Sequence, residues 1–146
     1  MENLNTTTVK KKKIKLDFKD SKYATGRRKR SIARIWLKKG SGNIHVNGMT
    51  MLDYFKRPVH QMLVVRPLEI TDVLTSYDVR ASVKGGGLSG QAGAIILGVS
   101  RALVAFNAEL KTILKKEKFM TRDSRVVERK KYGRRKARRS FQFSKR

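Results

Sequence analysis

Cysteine is absent from the 146 residues, so disulfides and thiolate metal sites are excluded. Histidine occurs twice, at His45 and His60, too few for a histidine-based zinc site without carboxylate help. Neither has a nucleophile near it in sequence, and nothing resembles a catalytic triad or a carboxylate pair. No enzyme activity, cofactor, metal or small-molecule substrate is therefore expected. An apolar run of about 18 residues is not evident, and the Lys-rich N-terminus lacks the apolar stretch of a secretory signal. The expectation is a soluble, intracellular chain of one domain, with no membrane partner.

Acidic residues are also scarce, 11 against 36 Lys and Arg, which leaves +25 on a short chain and implies a polyanionic partner. The excess is uneven: residues 1–39 carry +11, residues 40–121 only +4, and residues 122–146 carry +10. A nearly balanced middle lies between two basic ends.

The middle reads as a folded α/β unit. From Ser31 to Lys38, Ala33, Ile35 and Leu37 alternate with Ile32, Arg34 and Trp36, the pattern of a half-buried strand. The glycines of "KGSGN" (39–43) suggest a hairpin into Ile44 to Val46, paired antiparallel with the first strand, and the chain turns again at Asn47 and Gly48. Thr50 can cap a short helix through Phe55, and Pro58 suits the first turn of another, anchored by Met62, Leu63, Leu68 and Ile70. Tyr77 to Lys84 alternates cleanly as a further strand. Beyond "VKGGGLSGQAGA" (83–94), Ala92, Ile95, Ile96, Val99, Leu103 and Phe106 recur at helical spacing, with Ser89 as N-cap. A last helical stretch, Glu109 to Lys118, places Leu110, Ile113 and Leu114 inward. The fold expected is a small α/β (α+β) domain, with a mainly antiparallel sheet and helices on one face.

The glycine loop fits the dinucleotide spacing G-x-G-x-x-G at Gly85, Gly87 and Gly90. A dinucleotide site also needs a second strand and an acidic residue about 20 positions on; Glu109 has the spacing but lies in a helical stretch. A P-loop lysine is missing as well. A tight strand-to-helix turn accounts for the glycines, and bare backbone lying against an RNA phosphate chain is a further option. A nucleotide enzyme and a nonspecific nucleic-acid compactor are the alternatives to RNA binding of a structural kind.

Residues 122–146 lack aliphatic side chains beyond Val126, Val127 and Ala137, so no core can form there. "SRVVERKKY" could make a helical turn or two, with Asp123 pairing an arginine or capping that helix; the rest is an arm that orders on binding. Phe141 and Phe143 have no core to join and suit base stacking or an apolar crevice, whereas Trp36 and Tyr54 read as packing residues.

Three stretches, "YATGRRKRSIARIWLKKGSGNIHVNG" (23–48), "VKGGGLSGQAGAIILGVSRAL" (83–103) and "FMTRDSRVVERKKYGRRKARRSFQFSKR" (119–146), together resemble the family of the ninth protein of the small ribosomal subunit, bacterial or organellar form. Arg30, Ile96 and Leu97 depart from its pattern. Composition divides the chain into a disordered basic N-terminal extension over 1–21, a globular domain over 22–121 and an extended basic tail over 122–146; the resemblance, which covers about residues 22–146, implies a fold like the second domain of ribosomal protein five and a place in the subunit head beside other ribosomal proteins. It implies small-subunit rRNA as partner for Arg27, Arg28, Lys29, Arg30, Lys84, Gly85, Gly86 and Gly87. In the tail it implies the same for Arg122, Arg125, Arg129, Lys130, Lys131, Arg134, Arg135, Lys136, Arg138 and Arg139. Ser144, Lys145 and Arg146 correspond to the end that reaches peptidyl-site tRNA. The compartment implied is the cytoplasm or, in the organellar form, a mitochondrion or plastid.

Overall fold

A computed structural model describes residues 19–144. The expected N-terminal extension lies, up to residue 18, outside the described residues, and so do Lys145 and Arg146. Five strands and four helices follow one another as β1 (Lys22–Arg28), β2 (Ser31–Lys39), β3 (Ile44–Val46), β4 (Met49–Thr50), α1 (Met51–Tyr54), α2 (Pro58–Ile70), β5 (Tyr77–Lys84), α3 (Leu88–Phe106) and α4 (Leu110–Lys116). They form one mixed sheet in the order β1-β2-β5-β3-β4, antiparallel except where β3 runs parallel to β5.

The alternation expected from sequence sets the faces. Ala33, Ile35 and Leu37 of β2 and Val79, Ala81 and Val83 of β5 are buried beneath α3, which supplies Ala92, Ala94, Ile95, Val99, Ala102 and Leu103. Helix α3 lies mainly over β1 and β2, and α2 packs on α3 through Val64, Pro67 and Leu68. Helix α3 is 19 residues long with a mean hydropathy of 1.4, so by length and composition it does match a membrane span, which the sequence reading passed over. Its apolar character is accounted for by the sheet, since 56% of that stretch is buried inside the fold.

Several expectations are corrected. Strand β1 went unrecognised. The strand at 44–46 does not pair with β2: β5 lies between them, and β3 forms its hairpin with β4 through Asn47 and Gly48. Both turn residues have positive φ, 52° and 80°, as a two-residue primed turn requires. The glycine-containing segment after β2 is instead held to the start of β5, where the Asp78 carboxylate accepts from the backbone N–H groups of Ser41 (3.0 Å) and Asn43 (2.8 Å). Helix α3 begins one residue before Ser89, with Gly87 at the N-cap and no side-chain cap, because the glycine loop itself turns the chain into the helix. Met62 (69% exposed) and Ile113 (40% exposed) face outward, since α2 and α4 each touch the core along a narrow strip. The stretch 124–132 forms no helix. Thr50, by contrast, caps α1 by accepting from the Asp53 N–H at 3.2 Å, and Pro58 opens α2, both as expected.

Candidate nucleic-acid interface

The basic cluster at 27–30 straddles the β1–β2 turn. Arg28 pairs with Ser31 across the ladder, leaving Lys29 and Arg30 exposed at its tip, with Lys29 at φ 51°. This turn is the hub of the interface because the glycine loop wraps around it. Gly85 and Gly86 have φ of 73° and 61°. A Cβ on Gly85 would lie 2.5 Å from the Arg30 carbonyl oxygen, and one on Gly86 would collide with the Ser31 hydroxyl. That hydroxyl donates to the Gly85 carbonyl at 3.0 Å, and the Gln91 side-chain amide donates to the same oxygen at 3.2 Å. These two glycines therefore make a packed strand-to-helix junction. Gly87 differs, having open space where a side chain would sit, and Lys84 is exposed at the end of β5. Among the described residues no strand follows α3, so the βαβ unit of a dinucleotide site is not formed.

The root of the tail docks beside the same turn. The Arg28 guanidinium runs past Gly93 and donates to the Asp123 carboxylate at 3.0 Å. Asp123 also accepts from the Arg125 backbone N–H at 3.0 Å and from its guanidinium at 2.9 Å, closing the loop "TRDSR" on itself. The Arg125 hydrogen bonds, with Arg28 adding a smaller effect, hold the Asp123 carboxyl well below the usual carboxylate range. Asp123 thus pairs an arginine as expected, but caps no helix. Ile96 and Leu97, the departures from the family pattern, line the groove beside Arg28, together with Leu63, Phe119 and Asp123.

Beyond Asp123 the chain through Ser144 carries neither helix nor strand, and nearly every residue is exposed. Its contacts are local. Arg138 pairs with Glu128 at 2.9 Å, which lowers the Glu128 carboxyl, and Arg134 donates to the Arg138 carbonyl at 2.6 Å. Arg135 lies 5.3 Å from the Phe141 ring centroid, and Phe143 is 88% exposed. Arg122, Arg129, Lys130, Lys131, Lys136 and Arg139 point outward with exposed side chains. The structure thus gathers residues 27–30, the glycine loop and the tail root at one end of the sheet, and leaves residues 129–144 exposed and outside the packed core.

Tyr54 is a packing residue: its hydroxyl donates to the Gln91 side chain at 2.7 Å and its ring sits against the core. Trp36 is not packed in the same way. It lies on the sheet face away from the helices, beside Tyr23, Arg34 and Arg80, a grouping the sequence reading missed. The available signal was the β2 alternation, which puts Arg34 and Trp36 on the face opposite Ala33, Ile35 and Leu37.

The family model described as "Ribosomal protein S9/S16" matches residues 26–146, from the start of the basic turn through the tail. With most of its length matched, a small α+β domain and an exposed cationic arm that has no core of its own, the chain belongs to the ribosomal protein S9/S16 family, whose members are structural, rRNA-binding constituents of the ribosome.

Proposed function

We propose that the chain holds rRNA in the head of the small subunit at two levels and, through its last residues, steadies tRNA in the peptidyl site. Arg27, Lys29, Arg30 and Lys84 surround the packed glycine junction and bind phosphates there. Residues 122–146 thread between rRNA helices as an arm, with Arg129, Lys130, Lys131, Arg134, Arg135, Lys136 and Arg139 neutralising phosphates. Ser144, Lys145 and Arg146 then contact tRNA phosphates at the far end. The observation that carries this reading is the tail's make-up. Through Ser144 it is exposed and has neither helix nor strand, and the two acids within it, Asp123 and Glu128, are each occupied by an arginine. Among the described residues the remaining tail cations have no carboxylate partner, so condensing such an arm requires a polyanion. A narrow arm also follows a crowded RNA groove that a globular surface cannot enter. The protein works by binding alone.

Crosslinking from Lys145 in purified small subunits loaded with peptidyl-site tRNA tests the assignment. Adducts to tRNA are expected. Adducts confined to rRNA would remove the tRNA role while leaving the threaded arm.

A further inference from the structure

Among the described residues, helices cover one face of the sheet and not the other. The other, traced through the ladder registers, presents Tyr23, Trp36, Arg80 and His45 in one row, Thr25, Arg34 and Ser82 in the next, and Arg27, Ile32 and Lys84 in the third. Tyr23 is 51% exposed and Trp36 keeps partial exposure. Their ring centroids are 5.4 Å apart, and the Arg34 and Arg80 guanidinium carbons lie 5.7 and 5.5 Å from the Trp36 centroid. The strands place one carboxylate on this face, Asp78, and it is turned into the amides of the 40–43 segment. Among the described strand residues the face is therefore an aromatic pair set beside arginines, with Asp78 turned aside.

We infer that this face is a further RNA-binding surface, separate from the tail and continuous with the glycine junction through Arg27 and Lys84, on which unpaired rRNA bases stack against Tyr23 and the Trp36–arginine cluster while Arg27, Arg34 and Lys84 meet the phosphates. Charge complementarity selects a polyanion as occupant. The rings and planar guanidinium groups add what a bare phosphate surface lacks, since bases splayed from a single strand stack on aromatic and arginine planes. The inference rests on the family's rRNA binding but not on the course of the tail.

Trp36 is the single tryptophan of the chain, so its emission reports on this face alone. Full-length protein is titrated with a fluorescein-labelled oligouridylate, following anisotropy for total binding and Trp36 emission for the face. Emission is expected to fall and saturate along with the anisotropy. Polyphosphate of matched charge should leave it unchanged. Tyr23→Ala should weaken the emission-detected binding roughly ten-fold, the loss of about one stacked base, and Tyr23→Phe should restore it. Anisotropy that saturates while Trp36 stays silent would overturn the proposal and leave the tail reading intact; loss of both signals would count against rRNA binding as a whole. Equal quenching by polyphosphate would also overturn it, because no base would be needed. In assembled small subunits, a photoreactive phenylalanine replacing Tyr23 should crosslink to rRNA. Crosslinks to another protein chain instead would assign the face to a protein partner and defeat the proposal.

Discussion

Lys118 and Asp123 show how single positions tie the domain to its tail. Lys118 follows α4 with φ 61°, its N–H bonding the Lys115 carbonyl at 3.0 Å, and the next N–H, of Phe119, reaches back to Leu114 at 3.0 Å. This is a Schellman closure with lysine where glycine is preferred, and the left-handed backbone costs an L-residue about 1–2 kcal/mol. Lys118→Gly should therefore stabilise the domain by up to about 1 kcal/mol after the loss to glycine's greater unfolded freedom, and raise the melting temperature by a few degrees. Asp123 acts on the tail root. Its folded-state carboxyl is lowered, so its contribution is complete above the ordinary aspartate range and is lost only as pH falls through the lower folded value. Hydrogen-exchange protection of the Arg125 amide, which donates to Asp123, should survive acidification to about pH 4. Asp123→Ala should abolish that protection at every pH, with little change in melting because the pair is exposed.

The elements differ in how far they could be read in advance. Strands β2 and β5 and helix α3 were legible because each buries a regular stripe of aliphatic side chains: Ile35 and Leu37, Val79 and Val83, Ile95, Val99 and Leu103. Strand β1 was not, because its covered face carries Ala24 and Gly26 and then Arg28, which leaves no apolar alternation. The cause is close approach: a Cβ on Gly26 would strike the Ala94 carbonyl, and one on Gly98 would lie 2.5 Å from Ile35, so α3 crosses where only small residues fit. The pairing of β3 was hidden for another reason. Three residues carry too little pattern to choose a neighbour, and the Asn47 side chain extends the ladder instead, accepting from Val83 N–H at 2.8 Å and donating to Val83 O at 3.1 Å. The glycine loop yields a contrast between neighbours. Gly86→Val should destabilise the fold by about 3 kcal/mol, combining a left-handed β-branched residue with a clash on Ser31, and is read by denaturant unfolding. Gly87→Ala should fold normally, since nothing lies in its way.

The molecule as a whole divides its work between a balanced, packed domain and a cationic arm. Composition showed that arm at once, because charge without aliphatic residues needs no structural context to be read. Its docking through Arg28 and Asp123 was legible only in part, as a pairing without a named partner, since the two residues are far apart in sequence. The face bearing Tyr23 and Trp36 was hidden because Tyr23, Thr25 and Arg27 belong to the unrecognised β1. If the arm's cations meet phosphates, replacing any one of Arg134, Arg135, Lys136 or Arg139 should lower the salt slope of rRNA binding by about one phosphate's worth. The decisive comparison is tRNA affinity for the peptidyl site of small subunits carrying the full chain or a chain lacking Ser144 to Arg146, measured across several salt concentrations. Normal incorporation with weakened tRNA binding and a shallower salt dependence is the predicted result, and unchanged affinity at every salt concentration would contradict it.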